Sequence, residues 1–274
     1  MDWSGAKNWL IALFAGLNIF LIIMLMSIST HSARLEKQVI DDTVKILERN
    51  SISIDASIIP DKIPRLNSVE VTNAITDKDS FATVLLGSDY KRSENTYTAG
   101  TKNLRFSQSK FFYENTSPDE AYSDLSEGNA AVKASAFLSN LGLSIETANY
   151  KTSHKNGTYT VELSQKLDKY PLFDSNLKVN LSDNGISSVE GSWFYVSEDQ
   201  SNVKTAATRV SPSTAALIDF ISNENRISNN SDRITEITIG YTSGETVEFQ
   251  AFAAAIPVWR IKTSDGHYYY FDAR

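Results

Sequence analysis

The sequence predicts an α+β protein, with a single N-terminal transmembrane helix followed by an exported part of two α+β domains. Three observations lead to this prediction: a long uncharged apolar run near the N-terminus, amphipathic segments at helical spacing, and alternating segments joined by Asn-Gly and Asp-Gly turns. Such turns between alternating segments are the strongest short-range signal for a β-hairpin. Because a helix followed by an antiparallel meander occurs twice, we expect helices to cover one face of a sheet.

The apolar run extends from Leu10 to Ile28 without a charged residue. A helix of about 20 residues crosses the hydrocarbon core of a bilayer, whereas the apolar region of a signal peptide has only about 7 to 15. The run therefore predicts an uncleaved, single-pass anchor in the cell membrane. Lys7 precedes it, and Arg34 and Lys37 follow it, so charge alone does not decide the orientation. Long domains are exported largely regardless of charge, which favours a cytoplasmic N-terminus and an extracytoplasmic bulk.

One side of the apolar run carries small residues that predict contact with another transmembrane helix. Ala12, Ala15 and Gly16 share this side, and Ala12 and Gly16 form a small-xxx-small pair that lets two helices approach closely. Asn18 lies nearby at mid-membrane depth, where a polar side chain is stabilised by bonding to another helix. Gly and Ala are also common in membrane helices that have no specific partner, so both interpretations stay open.

The composition of the 274-residue chain bounds its partners. The formal net charge is −7 and the isoelectric point is near 5.1. A nucleic-acid-binding protein would need a basic face, so we expect no nucleic-acid partner. The chain has no cysteine, which suits an exported domain without disulfides, although a cytosolic protein can also lack cysteine.

We expect six consecutive segments along the chain. They are a cytoplasmic tip, the transmembrane helix, an amphipathic stalk helix, a first exported α+β region, a helix plus meander, and a second copy of that unit. Their boundaries are 1–8, 9–29, 30–50, 51–116, 117–200 and 201–274. The heptad pattern of the stalk lasts barely two repeats, so packing on the following domain is favoured over a coiled coil. The pattern leaves open whether the second copy is a true duplication.

Local signals place the helices and strands of the exported part. Helices are predicted over 77–86, over 127–141 with Gly142 just past its end, and from Ser211 with a proline in the first turn. A strand is predicted over 68–75, and a small meander around Tyr97, Arg105 and 111–113. Alternation and turn signals predict further strands at 148–152, 158–165, 178–181, 186–196, 233–242, 247–254, 258–263 and 268–272.

The sequence contains few histidines and no cysteine, two residue types that are common in active sites. His31, His154 and His267 are the only histidines, and none has a partner at the spacing of metal ligands. The motifs HExxH, GxSxG and CxxC do not occur, so the usual sequence marks of zinc proteases, serine hydrolases and thiol redox proteins are missing. We therefore predict that the protein is not an enzyme, binds no cofactor or metal, and has no small-molecule substrate.

The aromatic run near the C-terminus offers an alternative function. In a strand, Tyr268 and Tyr270 would share one face, and Tyr269 and Phe271 the other. One pair can belong to the core while the other forms a contact surface, although aromatic residues are enriched in strands for packing alone. The alternative is therefore an exported binding module for wall fragments or peptides, which would need a concave aromatic site with convergent polar groups.

The opening M-D-W-x-x-x-K, formed by Met1, Asp2, Trp3 and Lys7 and followed at once by the apolar run, resembles the YycI proteins of Gram-positive bacteria. This resemblance implies a non-enzymatic regulator of the sensor histidine kinase of the WalK–WalR (YycG–YycF) two-component system, which controls cell-wall metabolism. It also implies a complex with that kinase and a YycH-like protein, with transmembrane helices making much of the contact. The repeated helix and meander, with IPVWRIKTSDGHYYYFDA near the end, also resembles PepSY-type modules.

Overall fold

The computed structural model describes residues 3–30, 33–118, 121–146, 148–196, 208–223, 232–244, 249 and 252–274. The α-helices are α1 (Trp3–Thr30), α2 (Lys37–Arg49), α3 (Lys78–Leu86), α4 (Glu127–Asn140) and α5 (Ser213–Ile221). The strands up to α4 are β1 (Ala33–Arg34), β2 (Ile52–Ser53), β3 (Lys62–Ile63), β4 (Arg65–Leu66), β5 (Val69–Asn73), β6 (Lys91–Ser93), β7 (Thr96–Ala99), β8 (Lys102–Ser107) and β9 (Lys110–Asn115). The later strands are β10 (Asn149–Lys155), β11 (Thr158–Leu167), β12 (Tyr170–Ser182), β13 (Gly185–Ser192), β14 (Phe194–Val196), β15 (Thr208–Arg209), β16 (Asp232–Thr242), β17 (Phe252–Thr263) and β18 (Tyr268–Asp272).

Most strands belong to one continuous hydrogen-bonded sheet, which has two parts. The first part, called the first sheet here, is the antiparallel series β10-β11-β12-β13-β9-β8-β7-β6. The second sheet consists of β16, β17 and β18, with β5 paired to β17, β14 paired to β5, and β2 paired to the start of β16. The long strand β12 joins them, because it also runs parallel to β16 where Leu172 lies opposite Tyr241. The predicted α+β class with a mostly antiparallel sheet is confirmed.

Each sheet has its own hydrophobic core and its own helices. Helices α3 and α4 pack on the first sheet, and the largest fully buried side chains of that core include Trp193, Tyr97, Phe111, Leu104, Leu138 and Leu163. Helices α2 and α5 pack on each other, and α5 packs on β17 and β18. The largest side chains of the second core include Trp259, Phe194, Phe220, Leu47, Ile52 and Leu172.

Helix α4 shows how local signals and packing agree. The backbone N–H of Ser126 donates to the side chain of Asn129 at 2.8 Å, which is half of a capping box. Gly142 follows the helix with φ of 81°, a left-handed conformation that glycine adopts easily. Ala130 and Ala134 are fully buried, and their small side chains let the helix lie close to β10, β11 and β12.

The segment after the apolar helix differs in part from the predicted stalk over 30–50. Residues 33–34 form β1, which pairs with β3, and helix α2 begins only at Lys37. The backbone N–H of Leu35 donates to the carbonyl of Asp61 at 2.7 Å, so the backbone is satisfied in an extended conformation there. Leu47 is fully buried, and α2 packs against α5 along the same side.

Three predicted strands have different bounds in the structure. The strand predicted at 178–181 is the end of β12, which begins at Tyr170 because it passes along both cores. The strand predicted at 186–196 is interrupted at Trp193, so that β14 can leave β13 and pair with β5. Half of the strand predicted at 247–254 lies outside the described residues, and β17, which begins at Phe252, joins its last residues to the strand predicted at 258–263.

Phe249, in the connection between β16 and β17, packs into the core of the other sheet. Its ring lies edge-to-face on Phe106 of β8 at 5.0 Å, and the Lys78 ammonium lies 4.8 Å from its centroid. We expect Phe249→Ala to lower the free energy of unfolding by about 2 kcal/mol, less than for a central phenylalanine because the site lies at the edge of the core. Phe252→Ala, at a side chain that is 70 % exposed, should change it little. Urea unfolding of the detergent-solubilised chain measures both, and equal effects would contradict the prediction.

Candidate functional site

The N-terminal helix α1 is the first candidate site, because its surface is not used inside the chain. The stretch from Lys7 to Met24 has a mean hydropathy of 1.8, and none of it is buried against the rest of the protein. By length and composition, this one helix can cross a membrane. Exposing an apolar surface of this length to water is unfavourable, whereas contact with lipid is not. The helix therefore fits a single-pass anchor.

The predicted partner-contact residues lie on this exposed surface. Ala12, Ala15 and Gly16 are all exposed, and residues three or four positions apart share one side of a helix. A Cβ atom placed on Gly16 would meet no atom within 4 Å. No contact with the described residues therefore requires a glycine at this position, and among these residues none covers the small side.

Asn18 is partly satisfied within its own helix. Its side-chain Nδ2 donates to the carbonyl oxygen of Phe14 at 2.9 Å. A carboxamide has two N–H donors and an acceptor oxygen, and within the described residues no further bond of this side chain is formed. The second donor and the oxygen are thus available for a bond to another helix.

The family motif of the opening is only partly described. Met1 and Asp2 lie outside the described residues, Trp3 is the first residue of α1, and Lys7 is exposed.

The aromatic strand β18 has the two faces that alternation predicts. Tyr269 and Phe271 pack edge-to-face against Phe220 of α5, with ring centroids 5.1 Å and 6.3 Å apart. Tyr268 and Tyr270 point to the other face and are 45 % and 47 % exposed. Tyr269 and Phe271 are half-buried against the second core, and Tyr268 and Tyr270 are the more exposed pair.

The exposed face of β18 is already lined by the protein's own cations. The guanidinium of Arg260 lies 4.2 Å from the centroid of Phe173 and 4.7 Å from that of Tyr268, and its Nη2 pairs with Glu236 at 2.9 Å. The pKa of the Glu236 carboxyl is lowered, mainly by a hydrogen bond from the Thr238 hydroxyl. The hydrogen bond and the positive charge of Arg260 lower it by a smaller amount. Burial raises the pKa of the Tyr270 hydroxyl. The rings and cations thus form a packed surface rather than an open aromatic cleft.

The histidines that the structure describes lie in hairpins. His154 stacks on Tyr159 at 4.2 Å beside the β10–β11 turn, and Nδ1 of His267 lies 2.9 Å from Asp265 before β18. His31 lies outside the described residues. Among the described residues, no group of three or more histidine or carboxylate side chains could hold a metal ion.

A second candidate site, which the sequence did not reveal, is a groove on the first sheet. Its volume is about 570 Å³, and charged side chains from five strands line it. They are Lys110, Lys151, Glu162, Lys178 and Glu190. The available signal was the alternation of buried and charged residues in β11 and β12, but only the pairing of the strands brings these side chains side by side.

The comparisons with known proteins concern mainly the part of the chain that follows the apolar helix. A family model described as "YycI protein" matches residues 31–274. No curated protein matches the chain.

Two solved structures resemble the chain weakly. An uncharacterized protein from Eubacterium rectale ATCC 33656 is 11 % identical, with a TM-score of 0.45, over 88 % of this chain and 95 % of that one. The C-terminal domain of YpeB from Bacillus megaterium is 10 % identical, with a TM-score of 0.27, over 88 % and 93 %. At these TM-scores neither likeness says anything about function. The family match, in contrast, covers far more than half of the chain, and this protein belongs to the YycI protein family.

Proposed function

We propose that this protein is a non-enzymatic, membrane-anchored regulator of the sensor histidine kinase of the WalK–WalR (YycG–YycF) two-component system, which controls cell-wall metabolism. The observation that carries the proposal is the family match over residues 31–274, since YycI membership points to a regulator of this system. The proposed partners are the kinase and a YycH-like protein, held in one membrane complex.

The proposed topology places the N-terminus in the cytoplasm and the bulk of the chain outside. More than two hundred residues follow α1. Long domains are exported largely regardless of flanking charge, and this length supports the orientation. The helix then lies beside the transmembrane helices of the kinase.

The proposed mechanism is a bias on the arrangement of the kinase helices. A partner shifts an equilibrium only by its different affinity for the two states. The side formed by Ala12, Ala15 and Gly16 permits close helix packing, and Asn18 keeps a donor and an acceptor for an interhelical bond. A helix that packs better on one arrangement of the kinase would stabilise that arrangement.

Replacing residues 9–29 by polyleucine tests the proposal. Both tagged, full-length proteins are purified from membranes in mild detergent, and the proteins that accompany them are measured by mass spectrometry. We expect the native helix to retain the kinase and the YycH-like protein, and polyleucine, which has no small side, to retain at least tenfold less. Equal retention would place the contact in the exported part, and absence of the kinase from both would contradict the regulator proposal.

An exported binding module for wall fragments or peptides is the second candidate function. The C-terminal aromatic strand gives it little support, because Arg260 lies against both Phe173 and Tyr268. The observation in its favour is the charged groove on the first sheet.

A further inference from the structure

The first sheet has one covered face and one open face. Helices α3 and α4 pack on the covered face. In β11, Val161 and Leu163 are buried on that face, whereas Glu162 and Ser164 alternate with them and are exposed. The side chains of β11 on the open face are therefore polar, and β11 has a neighbouring strand on each edge, β10 and β12.

A row of charges of alternating sign crosses this open face. Lys151 of β10 lies opposite Glu162 of β11, which lies opposite Lys178 of β12, which lies opposite Glu190 of β13. Neighbouring strands are about 4.8 Å apart. The row therefore places a charged side chain about every 4.8 Å, and the sign of the charge alternates from strand to strand. The backbones of the two lysines in the row, Lys151 and Lys178, are separated by about 10 Å on the same spacing.

The row lies in a groove of the size of a ligand site. The groove has a volume of about 570 Å³, and Lys110 and Phe112 of β9 also line it. A second groove of about 460 Å³ continues along the same face and shares Phe112 and Glu190 with the first. Ligand sites in proteins have volumes of about 300–1,000 Å³.

Part of the charge in the groove is not used inside the protein. The Lys178 ammonium pairs with Glu190 at 3.4 Å. In the part of the chain that the structure describes, Lys110, Lys151 and Glu162 form no ion pair and no side-chain hydrogen bond. Opposite charges on neighbouring strands stabilise a sheet slightly, which explains the alternation. This small stabilisation does not explain why the ammonium groups of Lys110 and Lys151 and the carboxylate of Glu162 face the groove without partners among the described residues.

We propose that this groove binds an extended oligopeptide that carries both a carboxylate and an amino group. The ligand carboxylate would be held by the ammonium group of Lys151, and its amino group by the carboxylate of Glu162, which lies opposite Lys151. Charge-assisted hydrogen bonds of this kind are shorter and stronger than neutral ones. Four of the five strands of the groove, β9, β11, β12 and β13, have partners on both edges, so recognition across these strands is by side chains and not by strand addition.

Other classes of ligand fit the groove less well. A polyanion would be repelled by Glu162 and Glu190, and an apolar segment would have to remove water from the charged row. A glycan would need an open aromatic face, but Phe112 is half-buried and the Arg105 guanidinium lies 4.8 Å from its centroid. This inference uses only the exported part and is independent of kinase regulation.

Competitive equilibrium dialysis tests the proposal with the full-length protein in detergent. The probes are acetylated and amidated tetrapeptides whose middle residues are Glu-Lys, Glu-Glu, Lys-Lys or Gln-Gln, together with the neutral sugar chitotetraose, and mass spectrometry measures the bound fraction. We expect the Glu-Lys peptide to bind at least tenfold more tightly than the Gln-Gln peptide. The double variant Lys151→Gln, Glu162→Gln should lose this preference.

The matched control is the double variant Lys37→Gln, Glu127→Gln, which removes the same charges from exposed positions on α2 and α4. It should bind as the unmodified protein does. The proposal is overturned if no peptide is preferred, if the groove variant keeps the preference, or if the polyanionic Glu-Glu peptide or the sugar binds best. Unchanged unfolding midpoints of both variants would exclude loss of the fold as the cause.

Discussion

The variant Gly16→Ile is expected to bring a WalR-dependent reporter to the level of a strain that lacks this protein. The result follows if the small side of α1 is the contact with the kinase, because a branched side chain at Gly16 prevents close approach of two helices. A Cβ atom at this position meets no atom within 4 Å, so the chain itself tolerates the change. The effect therefore requires another molecule on this side of the helix.

Leu21→Ile provides the matched control for this experiment. At 100° per residue, Leu21 lies on the side of the helix opposite Ala12 and Gly16, and it is already a large exposed side chain. We expect this variant to leave the reporter unchanged. Membrane levels of both variants are compared by immunoblot. A normal reporter with Gly16→Ile at normal levels would exclude the small side as the working contact.

Gly191→Ala is expected to have the largest effect on stability, with a loss of about 3 kcal/mol or more in the free energy of unfolding. Gly191 has φ of 136°, which side chains rarely adopt. A Cβ atom there would overlap the carbonyl oxygen of Asn176 and lie 3.1 Å from Cα of Leu177. These are backbone atoms of β12 within its pairing with β13, so they cannot move without breaking the first sheet.

Gly157→Ala separates backbone strain from steric overlap. Gly157 also has a positive φ, of 77°, but a Cβ atom on it meets no atom within 4 Å in the turn between β10 and β11. We expect a loss of about 1 kcal/mol for this variant, from strain alone. Urea unfolding followed by tryptophan fluorescence measures both variants. Equal losses would mean that the overlap with Asn176 is relieved at little cost.

Elements with local signals were predicted closely. Helix α3 begins after the cap residue Asp77 and ends at Gly87, and the β10–β11 hairpin turns at Asn156 and Gly157. The break at Trp193 could not be predicted, because it depends on the pairing of β14 with β5, which lies more than a hundred residues earlier. The long β12 likewise depends on partners in both sheets.

The two candidate sites differ in how much the sequence reveals about them. The small side of α1 follows from helical spacing alone, since Ala12 and Gly16 are one helical step of four residues apart. The opening motif lies before residue 31, where the family match begins, so motif and match support the same family from different parts of the chain. The groove, in contrast, depends on side chains from β9 to β13 that no local pattern connects.

The sequence by itself determined the apolar helix, the hairpin turns, the ends of α3 and α4, and the alternating faces of the strands. Each of these depends on interactions between residues a few positions apart, and such interactions can be read from spacing and residue type. Only the tertiary structure decided that the helices divide between two cores, that Phe249 crosses from one sheet to the other core, and that Lys151, Glu162, Lys178 and Glu190 form one row. These arrangements depend on the register of strands distant in sequence, where a shift of one residue would turn every side chain to the opposite face.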